Sequence, residues 1–336
     1  MKNRIKMRFL VILLILGVSL SAFAQVPDLE DLQKGVADFS EGLAKSLPFN
    51  STLGLNWSDA YIGKFFPSFP PHFGVGGALG FSTMELPIIE TVAGYLGYKL
   101  PFDLNRLFLP AYVAEARLGG IILPFDVGVK FGYLPPLGLW GSNTKMNYLL
   151  LGGDIRFALL DKKIPPKISM GIGFNHLNGG IGTKVGETRE LTYQENGPHS
   201  IALESPEVNL GWKTFSLDFK LQVSKSLIII TPYLGLGWSY AWSRAGYSVD
   251  AKVTHDSQPL EQSDIDTIKA YLRSAGLEDI SIDSSGISSI VRNRDFSLRT
   301  FGGFSINLAA FKVDFTGLYS FRDKNLGASL GVRFQL

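Results

Sequence analysis

The last eleven residues of the chain, LGASLGVRFQL, alternate between apolar and small or polar side chains. In an extended strand this pattern places Leu330, Val332 and Phe334 on one face and Gly331 and Arg333 on the other. The alternation recurs in FKVDFTGLYSF, FSLDFKLQV and FDVGVKFGY. Such segments are about 9–13 residues long, as a tilted strand needs to cross a bilayer, whereas soluble strands average about 5–6. The pattern predicts an all-β fold, a transmembrane antiparallel β-barrel. An exported soluble β protein is the alternative.

The composition excludes several other classes of protein. The chain carries 32 Lys and Arg against 30 Asp and Glu, so it has no basic field with which to hold nucleic acid. It contains no Cys, which excludes disulfides, thiolate metal sites and a Cys nucleophile. Charged residues amount to 18%, below the ~25% of ordinary soluble domains, which suits a chain with an apolar exterior.

The first 24 residues have the three parts of a secretory signal peptide. Four basic residues precede the apolar run FLVILLILGVSL, and Ala22-Phe23-Ala24 follows it. The run is shorter than the ~20 residues of a transmembrane helix. We therefore expect cleavage after Ala24, export, and a final location in the cell outer membrane.

Ten strands are predicted, and an even number places both ends of the chain on the periplasmic side. They cover 73–82, 110–119, 125–133, 146–157, 167–177, 206–223, 227–242, 295–308, 311–321 and 326–336. The connections then alternate between short periplasmic turns and mostly long external loops. Segment 83–109 contains ETVAGYLGYKL, which could add a strand pair, so 12–14 strands are the alternative. The longest external loops are 178–205, expected to be mobile, and 243–294, with a helix expected between Ser263 and Gly276.

Residues 25–71 differ in composition from the rest of the chain. Leu29, Leu32, Val36, Phe39 and Leu43 recur at a spacing of three and four residues, which predicts a short amphipathic helix. The stretch that follows is apolar and rich in proline, and proline cannot take part in a strand ladder. We expect this segment to plug the barrel, or to lie against its periplasmic mouth, with the barrel itself covering 72–336.

Charged residues of the predicted strands fall on the inward phase. They are Glu115, Arg117, Asp126, Lys130, Asp154, Arg156, Asp218, Lys220, Arg299, Lys312, Asp314 and Arg333. Charges on the lipid face would cost about 2–4 kcal/mol each at the midplane. The inward-facing charged residues form either a salt-bridge network that fills the interior or a polar path beneath the plug.

Aromatic residues gather near the predicted strand ends, where they would form girdles at the two membrane surfaces. They are Tyr133, Trp140, Tyr148, Trp212, Trp238, Tyr240, Trp242, Tyr319 and Phe334.

Chemical motifs are sparse. Residues 327–331 match G-x-S-x-G, but a nucleophile elbow needs a strand-to-helix turn and Ser329 lies within a predicted strand. His72, His176, His199 and His255 stand in separate segments without ligand spacing. We therefore predict no catalytic residue, no metal site and no cofactor.

The C-terminal stretch from Asn325 to Phe334 resembles the signal that the barrel assembly machinery reads in outer-membrane β-barrel proteins. The overall plan, a signal peptide, a helical plug of about forty residues and a barrel, is similar to that of long-chain fatty-acid transporters of the FadL type. The resemblance implies outer-membrane lipid and the assembly machinery as partners.

The leading hypothesis is a passive channel or transporter, porin-like in plan, for a small or hydrophobic solute. It is motivated by the plug-like segment 25–71 and by the apolar composition of 83–109. The alternative is a closed structural or adhesive barrel whose external loops bind partners outside the cell.

Overall fold

The computed structural model describes most of the barrel and the segment that precedes it. The described residues are 29–66, 68–85, 106–121, 123–139, 144–161, 166–184, 189–194, 198–203, 207–250, 253–255, 258–259, 281–283 and 286–336. The signal segment 1–24, Trp140, the stretch ETVAGYLGYKL and the helix expected within 263–276 lie outside them. In the described part of the chain, no helix is long and apolar enough to cross a bilayer.

The described part of the chain contains one helix and fifteen strands. In chain order they are α1 (Leu29–Asn50), β1 (Phe73–Glu85), β2 (Arg106–Gly119), β3 (Phe125–Leu139), β4 (Thr144–Leu160), β5 (Lys167–Lys184), β6 (Arg189–Gln194), β7 (Pro198–Leu203), β8 (Glu207–Ser224), β9 (Ile230–Asp250), β10 (Val253–His255), β11 (Gln258–Pro259), β12 (Ser281–Asp283), β13 (Gly286–Leu308), β14 (Phe311–Ser320) and β15 (Leu326–Gln335).

Ten of these strands form a closed antiparallel barrel. They are β1 to β5, β8, β9 and β13 to β15, each paired with its neighbour, and β15 pairs with β1 to close the wall. The predicted fold class and strand number are confirmed. Four connections at one end of the barrel, 120–124, 161–166, 225–229 and 309–310, are short. We call this the short-turn end and expect it to face the periplasm; the opposite end is the long-loop end.

Several strands continue further toward the long-loop end than the sequence indicated. Residues 178–184, expected in a mobile loop, extend β5, and 189–203 contain the hairpin of β6 and β7. Likewise, 243–250 and 286–294 are strand, because β9 and β13 pair along their whole length. These extensions could not be recognised from the alternation of apolar and polar residues, because above the membrane neither face of a strand has to be apolar. Strands β6, β7, β10 and β11 form a second, small sheet.

The outer face of the wall is apolar between two rings of aromatic side chains. In β15, Val332 is 53% exposed on this face while the adjacent Arg333 is 2% exposed on the inner one. Phe73, Phe334 and Phe311 pack together at the short-turn end. The ring toward the long-loop end includes Phe215, Trp242, Tyr240, Phe296 and Trp238.

Two residues predicted in the girdles face the lumen instead. Tyr148 and Trp212 are 6% and 5% exposed and pack among apolar side chains inside the barrel. An aromatic ring suits a headgroup layer and an apolar lumen equally, so its position near a strand end does not distinguish the two.

The N-terminal segment runs through the lumen from one end to the other. Near the long-loop end, Asn325 in the turn after β14 donates a hydrogen bond to Ser46 Oγ at 3.0 Å. At the short-turn end, the amide of Ala60 donates to Ser224 Oγ at 2.9 Å. Residues 46–62 are all buried. The chain then leaves the lumen, and the Phe65 amide donates to a carbonyl in the turn after β2.

Candidate functional site

Charged side chains form a continuous ion-pair network in the part of the lumen nearer the short-turn end. Arg117 Nη1 lies 2.5 Å from Asp126 Oδ1, and its Nη2 lies 2.7 Å from Asp154 Oδ1. Asp126 also accepts from Arg156 at 2.9 Å, and Lys220 Nζ lies 3.0 Å from Asp154. These side chains are at most 8% exposed. Because each carboxylate has two basic partners, the network neutralises most of its own charge.

A second group ties the N-terminal segment to the wall by ion pairs. Asp59 Oδ2 lies 2.7 Å from Lys312 Nζ and 2.8 Å from Arg333 Nη2. Arg333 also reaches Asp314 at 2.8 Å. A carboxylate of the segment therefore occupies a place between two bases of β14 and β15.

Glu115 and Lys130 bind the backbone and side chains of the same segment. The indole of Trp57 donates to Glu115, and the Trp57 ring stacks beneath Arg333, whose guanidinium carbon lies 4.5 Å from the ring centroid. Lys130 Nζ donates to the carbonyls of Ser51 at 2.8 Å and Leu53 at 2.6 Å. A buried ammonium is thus satisfied by the segment rather than by a wall carboxylate.

All twelve charged residues that the sequence placed on the inward phase lie on the inner face of the wall. Ten of them are buried as whole residues, and the other two, Lys220 and Lys312, are partly buried with side chains 8% and 13% exposed. Arg299 and Asp218 form a bidentate pair with distances of 2.7 and 2.9 Å. Of the two interpretations, the ion pairs favour a network that fills the interior.

The residues that sequence reasoning missed belong to the N-terminal segment itself. Ser51, Trp57, Ser58 and Asp59 make side-chain contacts with the wall. They lie in the stretch NSTLGLNWSDA, whose density of small polar residues is the one available signal. That composition shows that the stretch can form many hydrogen bonds, but not where its partners lie.

The part of the lumen nearer the long-loop end contains a cluster of apolar side chains and is occupied by α1. Leu43, Ala44 and Leu47 are fully buried and pack against the inner face of the wall. The wall residues around them are Leu109, Val113, Tyr148, Leu150, Leu177, Trp212 and Ala245. We call this space the upper compartment. Buried polar side chains beside this cluster, among them Ser46, Thr214 and Asn325, are uncharged, unlike those of the network below it.

The wall beside the upper compartment is not fully paired. The ladder between β2 and β3 runs only from Ala114–Phe131 to Gly119–Asp126. Beyond it, 106–113 continue pairing with β1 and 132–139 with β4, but the described residues of the two strands do not pair with each other. We call this stretch the β2–β3 gap. It lies in the half of the barrel nearer the long-loop end.

Tyrosine side chains bridge the gap in place of a ladder. Tyr148 crosses from β4 and donates from its hydroxyl to the carbonyl of Tyr112 at 2.6 Å. The hydroxyl of Tyr112 in turn donates to the carbonyl of Tyr133. Gly132 leaves room for this crossing, since a Cβ there would meet the Tyr148 hydroxyl. The seal is therefore made of side chains, which can change rotamer, rather than of backbone hydrogen bonds.

The other chemical candidates lie apart from the lumen site. Ser329 is in the middle of β15, opposite Gly80 and Thr316, and so not on a strand-to-helix turn. His72 Nδ1 lies 3.1 Å from the carbonyl of Leu336 at the short-turn end. Among the described residues, no group of three or more His, Asp or Glu could hold a metal ion.

Comparison with known proteins returns solved outer-membrane structures. The translocator domain of the autotransporter NalP from Neisseria meningitidis is 9% identical, with 91% of this chain and 98% of that chain covered and a TM-score of 0.33. The outer membrane protease OmpT from Escherichia coli is 10% identical, with 83% and 100% covered and a TM-score of 0.38. The Ralstonia pickettii toluene transporter TbuX is 6% identical, with 79% and 89% covered and a TM-score of 0.24. No protein-family model and no curated protein sequence matches the chain.

A closed antiparallel wall, an apolar exterior between two aromatic rings and a charged interior together define the class. The chain is an outer-membrane β-barrel protein. Within that class it is a ten-strand barrel whose lumen is filled by its own N-terminal segment.

Proposed function

We propose that the protein passes a small hydrophobic solute across the outer membrane and that the N-terminal segment is its gate. The observation that carries the proposal is the upper compartment: it contains an apolar cluster, it is occupied by Leu43, Ala44 and Leu47, and it lies beside the β2–β3 gap. An apolar space inside an otherwise charged lumen is suited to a ligand that gains about 25 cal/mol for each Å² of apolar surface it buries.

The segment has two parts that suit a gate. Apolar side chains of α1 occupy the space that a solute would take, so a solute replaces contacts of the same kind. Below them, residues 51–62 are held by hydrogen bonds and by the Asp59 ion pairs, which close the way to the short-turn end. Passage to the short-turn end therefore requires the segment to shift relative to the wall.

A reversible lock tests the gate directly. Ser51 Oγ in the segment lies 3.2 Å from Ser216 Oγ on β8, and the chain has no native Cys. We expect the S51C/S216C protein, once oxidised, to lower uptake of a radiolabelled aromatic hydrocarbon to the rate of cells that lack the protein. Reduction with dithiothreitol should restore the original rate, because it frees the segment without changing the sequence.

The matched control joins two wall strands and leaves the segment free. Thr214 and Ser243 lie on β8 and β9 with their hydroxyl oxygens 2.8 Å apart, so T214C/S243C adds a disulfide within the wall. This variant should take up solute equally well when oxidised and when reduced. Undiminished uptake by the oxidised S51C/S216C protein would show that the segment is not the gate.

A second candidate function is a closed surface barrel that binds partners outside the cell. The observation that favours it is strand length: β9 has 21 residues and β13 has 23, against about 9–11 needed to cross the membrane. Replacing 251–285 with an Asn-Gly turn would join the paired residues Asp250 and Gly286. We expect this variant to fold and, if the barrel is adhesive, to lose surface binding; intact binding would contradict that function.

A further inference from the structure

The outer face of the wall carries a row of basic side chains just beyond the aromatic ring at the long-loop end. Lys213 on β8 stands directly opposite Arg244 on β9, and Arg244 stands opposite Arg292 on β13. Arg294 follows two residues further along β13, toward the membrane. All four are exposed. We call these four residues the basic belt.

This arrangement is unfavourable in the absence of a counter-anion. Like charges directly opposite on neighbouring strands destabilise a sheet, because their Cβ atoms lie only about 4.5–5.5 Å apart. Among the residues that the structure describes, no carboxylate forms an ion pair with any member of the belt. In the lumen, by contrast, Arg117, Arg156 and Arg299 each pair with an aspartate. Within the described residues, the belt thus lacks the carboxylate partners that the interior bases have.

A hollow with a glycine floor lies beside the belt. Gly180, Gly211 and Gly246 form one row across β5, β8 and β9. A Cβ added at Gly211 would meet nothing within 4 Å, so the space above it is open. The hollow has a volume of about 640 Å³, and the charged residues that line it are three bases, Lys145, Lys213 and Arg244, and one acid, Glu207. It has room for a headgroup whose phosphate lies on the belt.

The depth of the belt in the membrane identifies the kind of ligand. The next row toward the short-turn end contains Phe215 and Trp242, and Arg294 stands opposite Trp242. Aromatic rings of a girdle lie at the headgroup layer. Bases one row beyond that layer meet the phosphate groups of lipids rather than their acyl chains.

We propose that the basic belt and the adjoining hollow bind the phosphate-bearing headgroup of an anionic lipid in the leaflet at the long-loop end. Guanidinium groups bind phosphate through paired N–H donors, and two arginines beside a lysine supply such donors on one face of the wall. The proposal is independent of what passes through the lumen.

The test compares lipid binding by a belt variant and a charge-matched control. The belt variant is K213Q/R244Q/R292Q, and the control is K225Q/R322Q/K324Q, which removes the same charge from exposed residues outside the belt. Each protein, folded in nonionic detergent, is titrated with phosphatidic acid or with phosphatidylcholine of equal chain length, and bound lipid is counted by native mass spectrometry.

We expect the wild-type protein and the control variant to bind phosphatidic acid at least about tenfold more tightly than the belt variant does, since each base near a membrane surface contributes about 1 kcal/mol. Phosphatidylcholine should not distinguish the three proteins. Equal binding of phosphatidic acid by the belt variant and the wild type would overturn the proposal. Displacement of the lipid by millimolar inorganic phosphate would overturn the assignment to a lipid, because the site would then bind the free anion.

A stability measurement provides a second readout. Without anionic lipid, the belt variant should unfold at the same temperature as the wild type or a higher one, because a repulsive row has been removed. Added phosphatidic acid should raise the unfolding temperature of the wild type but not of the belt variant. A belt variant that is less stable in the absence of lipid would show that the bases serve the fold instead.

Discussion

Deletion of residues 27–62 is expected to turn the closed barrel into an open pore. The deletion keeps the signal segment and removes every residue that the structure buries between 46 and 62. Water entering the lumen would then hydrate the bases that had been bound to Asp59 or to carbonyls of the segment. These bases include Lys312, Arg333 and Lys130. Because a wall of ten strands is wider than one that side chains alone can fill, we expect conductance in planar bilayers to rise by about tenfold or more.

Deletion of the β6–β7 hairpin, residues 189–203, is the matched control. It shortens the chain outside the wall and should leave conductance at the low level of the intact protein. Both variants must first show the mobility shift on heating that marks a folded barrel. A folded 27–62 deletion that conducts no better than the control would mean that the charged network alone seals the lumen, and the gate proposed for the segment would be lost.

Replacement of Arg117 by Met is expected to destabilise the barrel strongly. It leaves the buried carboxylates of Asp126 and Asp154 with one basic partner fewer, although Arg156 and Lys220 remain. Removing one partner of a buried ion pair costs about 3–5 kcal/mol, and the remaining bases put the expected loss near the lower figure. The free energy of unfolding, measured by tryptophan fluorescence in urea, would report it.

The control for that variant is R322M, the same substitution at an exposed pair. Arg322 is paired with Asp295, and its side chain is 45% exposed. Surface pairs contribute about 0–1 kcal/mol, so this variant should unfold close to the wild type. If R117M lost no more stability than R322M, the network would have to be hydrated rather than packed.

Much of the wall could be predicted from the sequence because one physical requirement acts on every residue of a membrane strand. A side chain facing lipid must be apolar, so the alternation in β15 separates Val332 from Arg333, and the same rule places Asp126 and Arg156 inside. The ten strands and the inward phase of the charged residues both follow from it.

Features that depend on pairing between distant segments could not be predicted in this way. The extension of β9 and β13 follows from their mutual ladder, and the β2–β3 gap from the absence of one. The sequence predicts a girdle position for Tyr148, because nothing in its neighbourhood shows that its side chain crosses Gly132 to reach Tyr112. For the same reason, the composition of the segment before β1 gave no partners for Asp59.

The seam between β1 and β15 has a consequence for assembly. It joins the first and last strands of the wall, and the segment that fills the lumen immediately precedes β1. A helix with side chains is about 10–12 Å across. Threading α1 into a barrel that has already closed, past the side chains of its inner face, would therefore meet severe steric obstruction. Wrapping the sheet around the segment meets none, which makes the final zipping of β15 onto β1 the step that encloses it. The N-terminal segment would then act as an internal template around which the barrel closes.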